Sequence, residues 1–81
     1  MSAVRKRSIS IRGHRTSFSI EDAFMVELER IADLRDIALA SLVSEVDAAR
    51  GASTNLSSAL RLFVLQALKA DANGSPLGRE P

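Results

Sequence analysis

Apolar and polar residues alternate close to the start of the chain, over the stretch from Arg15 to Ile20. Successive side chains of a β-strand point to opposite faces, so this pattern predicts a strand with one apolar and one polar face. The residues predicted to pack inward are Thr16, Phe18 and Ile20. Those predicted to point outward are Arg15, Ser17 and Ser19.

A second alternating run, from Ser8 to Arg12, precedes this strand, and Gly13 separates the two. A strand needs a partner for its backbone groups, and two arrangements provide one. The earlier run folds back as a hairpin across Gly13 and His14, or the strand pairs with its copy in a second subunit. Because Gly13-His14 lacks strong turn chemistry, we favour one short N-terminal strand that pairs across a dimer.

Three helices are predicted after the strand, which makes the fold mainly α. The first is expected to begin with Ser19 as its cap, because acids at Glu21 and Asp22 then lie in its first turn. Its apolar residues recur at helical spacing. It is expected to end near Asp36.

The second helix is predicted from about Ala38 to Arg50, with Gly51 as a left-handed helix stop. Thr54 or Asn55 is expected to cap the third helix, which occupies about residues 55–70. That helix is apolar nearly all round, so it must be covered on more than one side.

Apolar spacing also predicts the residues of the core or of a dimer interface. A chain of 81 residues buries little surface by itself, yet 46% of this one is hydrophobic. We therefore expect a second subunit to complete the core, as a homodimer or a higher oligomer. The predicted core and interface residues are Phe18, Ile20, Phe24, Leu28, Ile31, Leu42, Val43, Val46, Leu60, Phe63 and Val64.

Charge is distributed unevenly along the chain. Five of its 11 Lys and Arg residues lie within the first 15 positions, where there is no acid. We expect residues 1–7 to form a flexible basic arm, 8–70 the folded domain and 71–81 a disordered tail. A basic segment on an acidic body is typical of proteins that bind nucleic acid or another anionic surface.

Residues for catalysis or metal binding are scarce. The chain has no cysteine and a single histidine, His14, and its four glycines do not form a phosphate-binding loop. We therefore expect no enzyme activity, no metal and no cofactor. The apolar runs are too short to span a membrane, and no apolar segment follows the basic N-terminus. A cytoplasmic protein without membrane contact is expected.

The stretch HRTSFSIEDAFMVELERIADLRDIALASLVSEV, which begins at His14, resembles the ribbon-helix-helix repressors of the Arc and MetJ type. The phrases GHRTS and NLSSALRLFVL are similar to a narrower set of small bacterial members with an extra C-terminal helix. In this family a Gly and a small polar cap usually separate the two helices, whereas Arg35-Asp36-Ile37-Ala38 stands here.

The resemblance implies a homodimeric DNA-binding transcriptional regulator, a repressor in the family's best-known cases, that inserts an antiparallel ribbon into the major groove of double-stranded DNA. The outward residues Arg15, Ser17 and Ser19 would then contact bases. The expected phosphate contacts are Arg5, Lys6, Arg7, Arg12 and, at the start of the second helix, Ala40 and Ser41.

Alternatives to this interpretation stay open at the level of sequence. The chain would instead be an antitoxin-like protein whose C-terminal helix binds a partner protein, or an oligomerisation module that does not bind DNA. Arg15 itself has a second interpretation, since it could pair with Glu21 or Asp22 rather than with a base.

Overall fold

The structure is a computed structural model that describes residues 3–73. Most of the predicted tail, residues 74–81, therefore lies outside the described part. Two strands and three helices follow one another along the chain. They are β1 (Val4–Ile11), β2 (His14–Glu21), α1 (Asp22–Leu34), α2 (Leu39–Ala49) and α3 (Leu56–Asn73).

The two strands form an antiparallel hairpin whose register runs from Val4 opposite Glu21 to Ile11 opposite His14. The two-residue loop has φ of 52° at Arg12 and 82° at Gly13. Positive φ at both loop residues is the geometry that matches the twist of paired strands. Our prediction of one strand paired across a dimer is therefore wrong at this edge, because β1 of the same chain occupies it.

The basic segment near the N-terminus is also different from our prediction. Arg5, Lys6 and Arg7 lie within β1 and not in a flexible arm. The two alternating runs pair because each has an apolar side that the helices can cover. Residues 4–7 are therefore ordered by pairing with β2, although their positive charge alone predicted a flexible arm.

The helices begin and end within a few residues of the predicted positions, but the expected residues do not always form the ends. Ser19 lies inside β2, and Glu21 holds the N-cap position of α1, so the Ser19 cap is wrong. Asp36, with φ of 57°, takes the left-handed position between α1 and α2, where glycine is usual. Asp tolerates this conformation better than most residues do.

The end of α2 differs from the prediction, and the start of α3 shows which of the two predicted cap residues is used. Helix α2 ends in an extended residue, Arg50, and Gly51 does not have a positive φ, so Gly51 is not a left-handed stop. Asn55 caps α3, because its side-chain oxygen accepts the Ser58 amide at 2.8 Å. Thr54, the other predicted cap, lies one residue earlier.

One face of the hairpin packs on the helices and forms a core within the single chain. Phe24 and Phe63, both predicted for the core or interface, pack against it while partly exposed. The core contains no buried polar or charged residue among those described. Its buried residues are Ile11, Phe18, Ile20, Leu28, Ile31, Ala32, Leu42, Val43, Val46, Leu56, Ala59, Leu60 and Val64.

The hairpin loop generates a first prediction. A Cβ added at Gly13 would meet no atom within 4 Å, so Gly13→Ala changes only the backbone energy. We expect it to cost about 1–2 kcal/mol, the penalty of a left-handed L-residue, measured by urea denaturation. Gly51→Ala is the matched control, since Gly51 is equally open but lacks a positive φ. Equal losses in both variants would contradict the assigned loop geometry.

The packing of α3 generates a second prediction. Leu60 is fully buried, whereas Leu65, on the same helix, is 49% exposed. We expect Leu60→Ala to lower the free energy of unfolding by about 2–5 kcal/mol. Leu65→Ala should change it by less than about 1 kcal/mol. Thermal or urea unfolding of the two variants compares them, and a small loss at Leu60 would mean that α3 does not belong to the folded core.

Candidate nucleic-acid interface

The hairpin has an outer face that the helices do not cover. Residues directly opposite each other in an antiparallel pair have their side chains on the same face. Ser8 is opposite Ser17, and their hydroxyl oxygens lie 3.4 Å apart. Since Phe18 and Ile20 are buried beneath the hairpin, the outer face consists of Val4, Lys6, Ser8, Ser10, Arg15, Ser17, Ser19 and Glu21.

This outer face combines small hydroxyl side chains with two exposed cations. Lys6 and Arg15 have no acidic partner among the described residues. Arg15 in particular does not pair with Glu21 or Asp22, because those carboxylates already bind other arginines. The alternative role of Arg15 as an ion-pair partner is therefore excluded in this structure. Arg12, in the loop, is exposed as well.

Arg5 and Arg7 lie on the opposite, inner face of β1, across from Ile20 and Phe18. Arg5 Nε donates to Asp22 Oδ1 at 3.0 Å, and Arg7 Nη2 donates to the same oxygen. The Arg7 side chain is only 18% exposed. Our expectation that both arginines are free phosphate contacts needs correction, because they connect β1 to the start of α1.

These ion pairs also affect the carboxylates at the junction of β2 and α1. The hydrogen bond from Arg7 holds the pKa of Asp22 below its ordinary value, and Arg5 acts in the same direction. Partial burial of Asp22 raises its pKa, but by less than the two arginines lower it. The hydrogen bond from Arg61 lowers the pKa of Glu21 likewise. Both acids are therefore stabilised in the charged form that holds the arginines.

Helix α3 covers part of the free edge of β2. The Ser19 amide donates to Ser57 Oγ at 2.9 Å, and Arg61 Nη2 donates to the Ser19 carbonyl at 3.3 Å. Arg61 Nε also donates to Glu21 Oε1 at 2.9 Å. Ser57 and Arg61 were not among the predicted site residues, since nothing in the local pattern of α3 indicates which strand it contacts.

The start of α2 lies beside the end of β1. Ala40 and Ser41, both predicted phosphate contacts, line an open cleft of about 470 Å³ together with Ser10 and Arg12. The Ser41 amide donates to the Ala38 carbonyl at 3.0 Å. An anion at this helix start would therefore meet the Ser41 hydroxyl rather than its amide.

Comparison with known proteins identifies the fold family. A family model described as a ribbon-helix-helix domain matches residues 4–68. The chain belongs to the ribbon-helix-helix family. No curated protein and no solved structure matches it significantly. Ribbon-helix-helix domains are typically DNA-binding or regulatory modules, and their members generally bind DNA as dimers.

In this ribbon-helix-helix chain the structure brings the predicted base-contacting residues Arg15, Ser17 and Ser19 onto one face. It adds Ser8 and Ser10, which sequence analysis did not assign to a site. The equal spacing of the two alternating runs on either side of Arg12-Gly13 was the signal that could have found them. Lys6, predicted as an arm residue, shares this face.

Within residues 3–73, no cluster of His, Asp or Glu side chains could hold a metal ion. The helices in that range are also too short or too polar to cross a bilayer.

The Asp22 ion pairs generate a third prediction. Because folding lowers the pKa of Asp22, its contribution to stability is present above its ordinary pKa of 3.8 and is lost as the pH falls below it. Asp22→Asn should lower the melting temperature at neutral pH and flatten its decrease in acid. Asp36→Asn is the control, since Asp36 forms no ion pair with the described residues. If the melting temperatures of the two variants depended on pH in the same way, a stabilising role for Asp22 would be contradicted.

Proposed function

We propose that this protein is a homodimeric transcriptional regulator that binds double-stranded DNA by inserting its β1–β2 ribbon into the major groove. The supporting observation is the outer face of the ribbon, which is uncovered, polar and carries two unpaired cations. Family membership supports the same function, since ribbon-helix-helix members generally bind DNA.

The size of the ribbon suits this role. The major groove of B-DNA is about 12 Å wide and admits a two-stranded β-ribbon. Small serine side chains let the backbone of the ribbon approach the base edges closely. A serine hydroxyl both donates and accepts, so it bonds to any of the four bases and discriminates weakly between them.

Positive charge on the ribbon supplies the attraction to DNA. Between Val4 and Glu21 the chain has five Lys or Arg residues and one acid, Glu21, which is bound to Arg61. Arg5 and Arg7 are partly neutralised by Asp22, so Lys6, Arg12 and Arg15 remain as the free cations. We propose that these three residues contact DNA, with the start of α2 at Ala40 and Ser41 as a further phosphate contact.

The fourth prediction tests DNA binding through the outer face. Lys6→Ala with Arg15→Ala should weaken binding to every duplex at moderate salt. It should also reduce the slope of log affinity against log salt by about four, because each of the two subunits loses two cations and each lost phosphate contact counts for about one. Fluorescence titrations at several salt concentrations measure both quantities.

The control variant removes the same charge from the opposite side of the domain. Arg30→Ala with Lys69→Ala alters α1 and α3 and should leave the salt slope unchanged, provided that circular dichroism shows both double variants folded. Equal effects of the two double variants would mean that only net charge matters. Absence of wild-type binding to duplexes at low salt would reject the DNA-binding function.

A second candidate function, protein binding through α3, is favoured by a different observation. Leu62 and Leu65 are 54% and 49% exposed on this helix, and Leu62 borders a shallow cleft lined by Val46, Ala49 and Phe63. An antitoxin-like protein or an oligomerisation module would use such a surface. However, α3 already buries Leu60 and Val64 in its own chain, which supports the regulator as the first choice.

A further inference from the structure

The two strands of the hairpin repeat one short sequence. Residues 6–11 read KRSISI, and residues 15–20 read RTSFSI. The two segments are identical at three of their six positions, and at the first position one has Lys where the other has Arg. Each position of the first segment lies nine residues before its equivalent in the second. The hairpin is therefore built from two copies of one strand sequence.

The register of the strands turns this repeat into a symmetry. In an antiparallel pair, a half-turn about an axis through two opposite residues exchanges the strands. With the axis at the pair of Ser8 and Ser17, the half-turn moves each residue of β1 onto the residue nine positions later in the chain. Lys6 is thereby exchanged with Arg15. The offset of the sequence repeat and the register of the pairing thus agree.

The outer face of the hairpin follows this symmetry closely. It has a serine pair at its centre and, at each end, one cation opposite one serine. The two cations, Lys6 and Arg15, are both exposed. Beyond the repeat the symmetry ends, because the half-turn exchanges Arg12 with Glu21. The six symmetric residues are Lys6, Ser8, Ser10, Arg15, Ser17 and Ser19.

Folding by itself does not require a symmetric outer face. Burial under the helices accounts for the apolar residues that the two strands share on the inner face, but the helices do not cover the outer one. The inner face is also where the repeat departs most. Arg7 is there equivalent to Thr16, and Arg7 pairs with Asp22 at the start of α1. The uncovered face is thus the more symmetrical one, as expected if its ligand has a two-fold axis.

We propose that each hairpin binds DNA as a symmetric unit, with its own two-fold axis placed on a local two-fold axis of the duplex. This inference rests on the proposed function and specifies the class of DNA site. Two-fold symmetry in a DNA-binding protein is mirrored by palindromy of its site. Symmetry between two subunits makes only the whole site palindromic. Symmetry within the hairpin adds a short inverted repeat to each half of that site.

The spacing of the two cations suits this arrangement. Arg15 is opposite Ser10, so Lys6 and Arg15 lie at the two ends of the symmetric face. With about 3.4 Å between successive residues and about 4.8 Å between strands, their Cα atoms are about 14 Å apart. The major groove of B-DNA is about 12 Å wide, so these two long side chains would reach phosphates on its opposite walls. Ser8 and Ser17 would then lie above the bases at the centre.

The fifth prediction tests the equivalence of the two strands. Lys6→Ala and Arg15→Ala should weaken binding by similar factors, and each should lower the salt slope by about two, one phosphate contact for each subunit. Ser8→Ala and Ser17→Ala should likewise have similar effects. Each variant is titrated by fluorescence against a random duplex and against a duplex that the wild-type protein enriches from a random pool.

The controls for this prediction carry the same residue types outside the hairpin. Ser53→Ala, in the loop before α3, and Lys69→Ala, on α3, alter exposed residues and should leave binding unchanged. Circular dichroism checks that every variant is folded. Exchange of the two cations, in Lys6→Arg with Arg15→Lys, should also leave the affinity for the enriched duplex nearly unchanged, since equivalent positions contact equivalent groups.

The enriched duplexes provide a second readout, which is their own symmetry. Each half of the preferred site should contain a short inverted repeat. Sites whose halves lack such repeats, or a wild-type protein that enriches no sequence, would overturn the inference and leave DNA binding intact.

Unequal roles of the two cations would overturn the inference as well. In that case Arg15→Ala would weaken binding to the enriched duplex alone, while Lys6→Ala would weaken binding to every duplex alike. Failure of the wild-type protein to bind any duplex at low salt would instead reject the proposed function, and the symmetric site with it. The failure of the inference is thus distinguishable from that of the function.

Discussion

The burial of Phe18 and Ile20 under the helices is the contact on which the rest of this structure depends. A strand that buries these two residues must turn Arg15, Ser17 and Ser19 outward, because side chains alternate. Pairing then gives β1 the same division into faces, with Ile11 inward and Ser8 outward. One hydrophobic contact thereby determines which side of the hairpin is available to bind another molecule.

The two groups of basic residues in β1 are separated by the same alternation. Arg5 and Arg7 point to the helix side and share the carboxylate of Asp22, where they stabilise the junction between the hairpin and α1. Lys6, between them in sequence, points to the outer face. Adjacent cations in one strand thus have different surroundings. A change in net charge at this segment does not by itself reveal whether an ion pair or an exposed cation was lost.

How far the sequence predicted the molecule depends on the range of the interactions involved. Alternation predicted both faces of β2, and helical spacing predicted three helices near their observed positions, because both patterns are local. The hairpin was not favoured because Gly13-His14 lacks strong turn chemistry; the observed loop is Arg12-Gly13, and Arg12 adopts a positive φ that is unusual for arginine. The contacts of Asp22 with β1 and of Ser57 and Arg61 with Ser19 join distant segments, and no local pattern predicts them. The sequence therefore predicted that Arg15, Ser17 and Ser19 of β2 lie on the outer face, but it did not predict that Ser8 and Ser10 of β1 join them there.

Helix α3 both completes the core and covers part of a strand edge. Leu60 and Val64 of this helix are buried in the core. Ser57 and Arg61 form hydrogen bonds with the backbone of Ser19, at one end of the free edge of β2. An unpaired strand edge is a general route to unspecific association, and covering it reduces the number of ways in which two copies can pair. The contacts of Ser57 and Arg61 with Ser19 leave fewer backbone groups of β2 open to another strand. The helix that completes the core therefore also limits how another strand can add to the hairpin, although it lies away from the outer face.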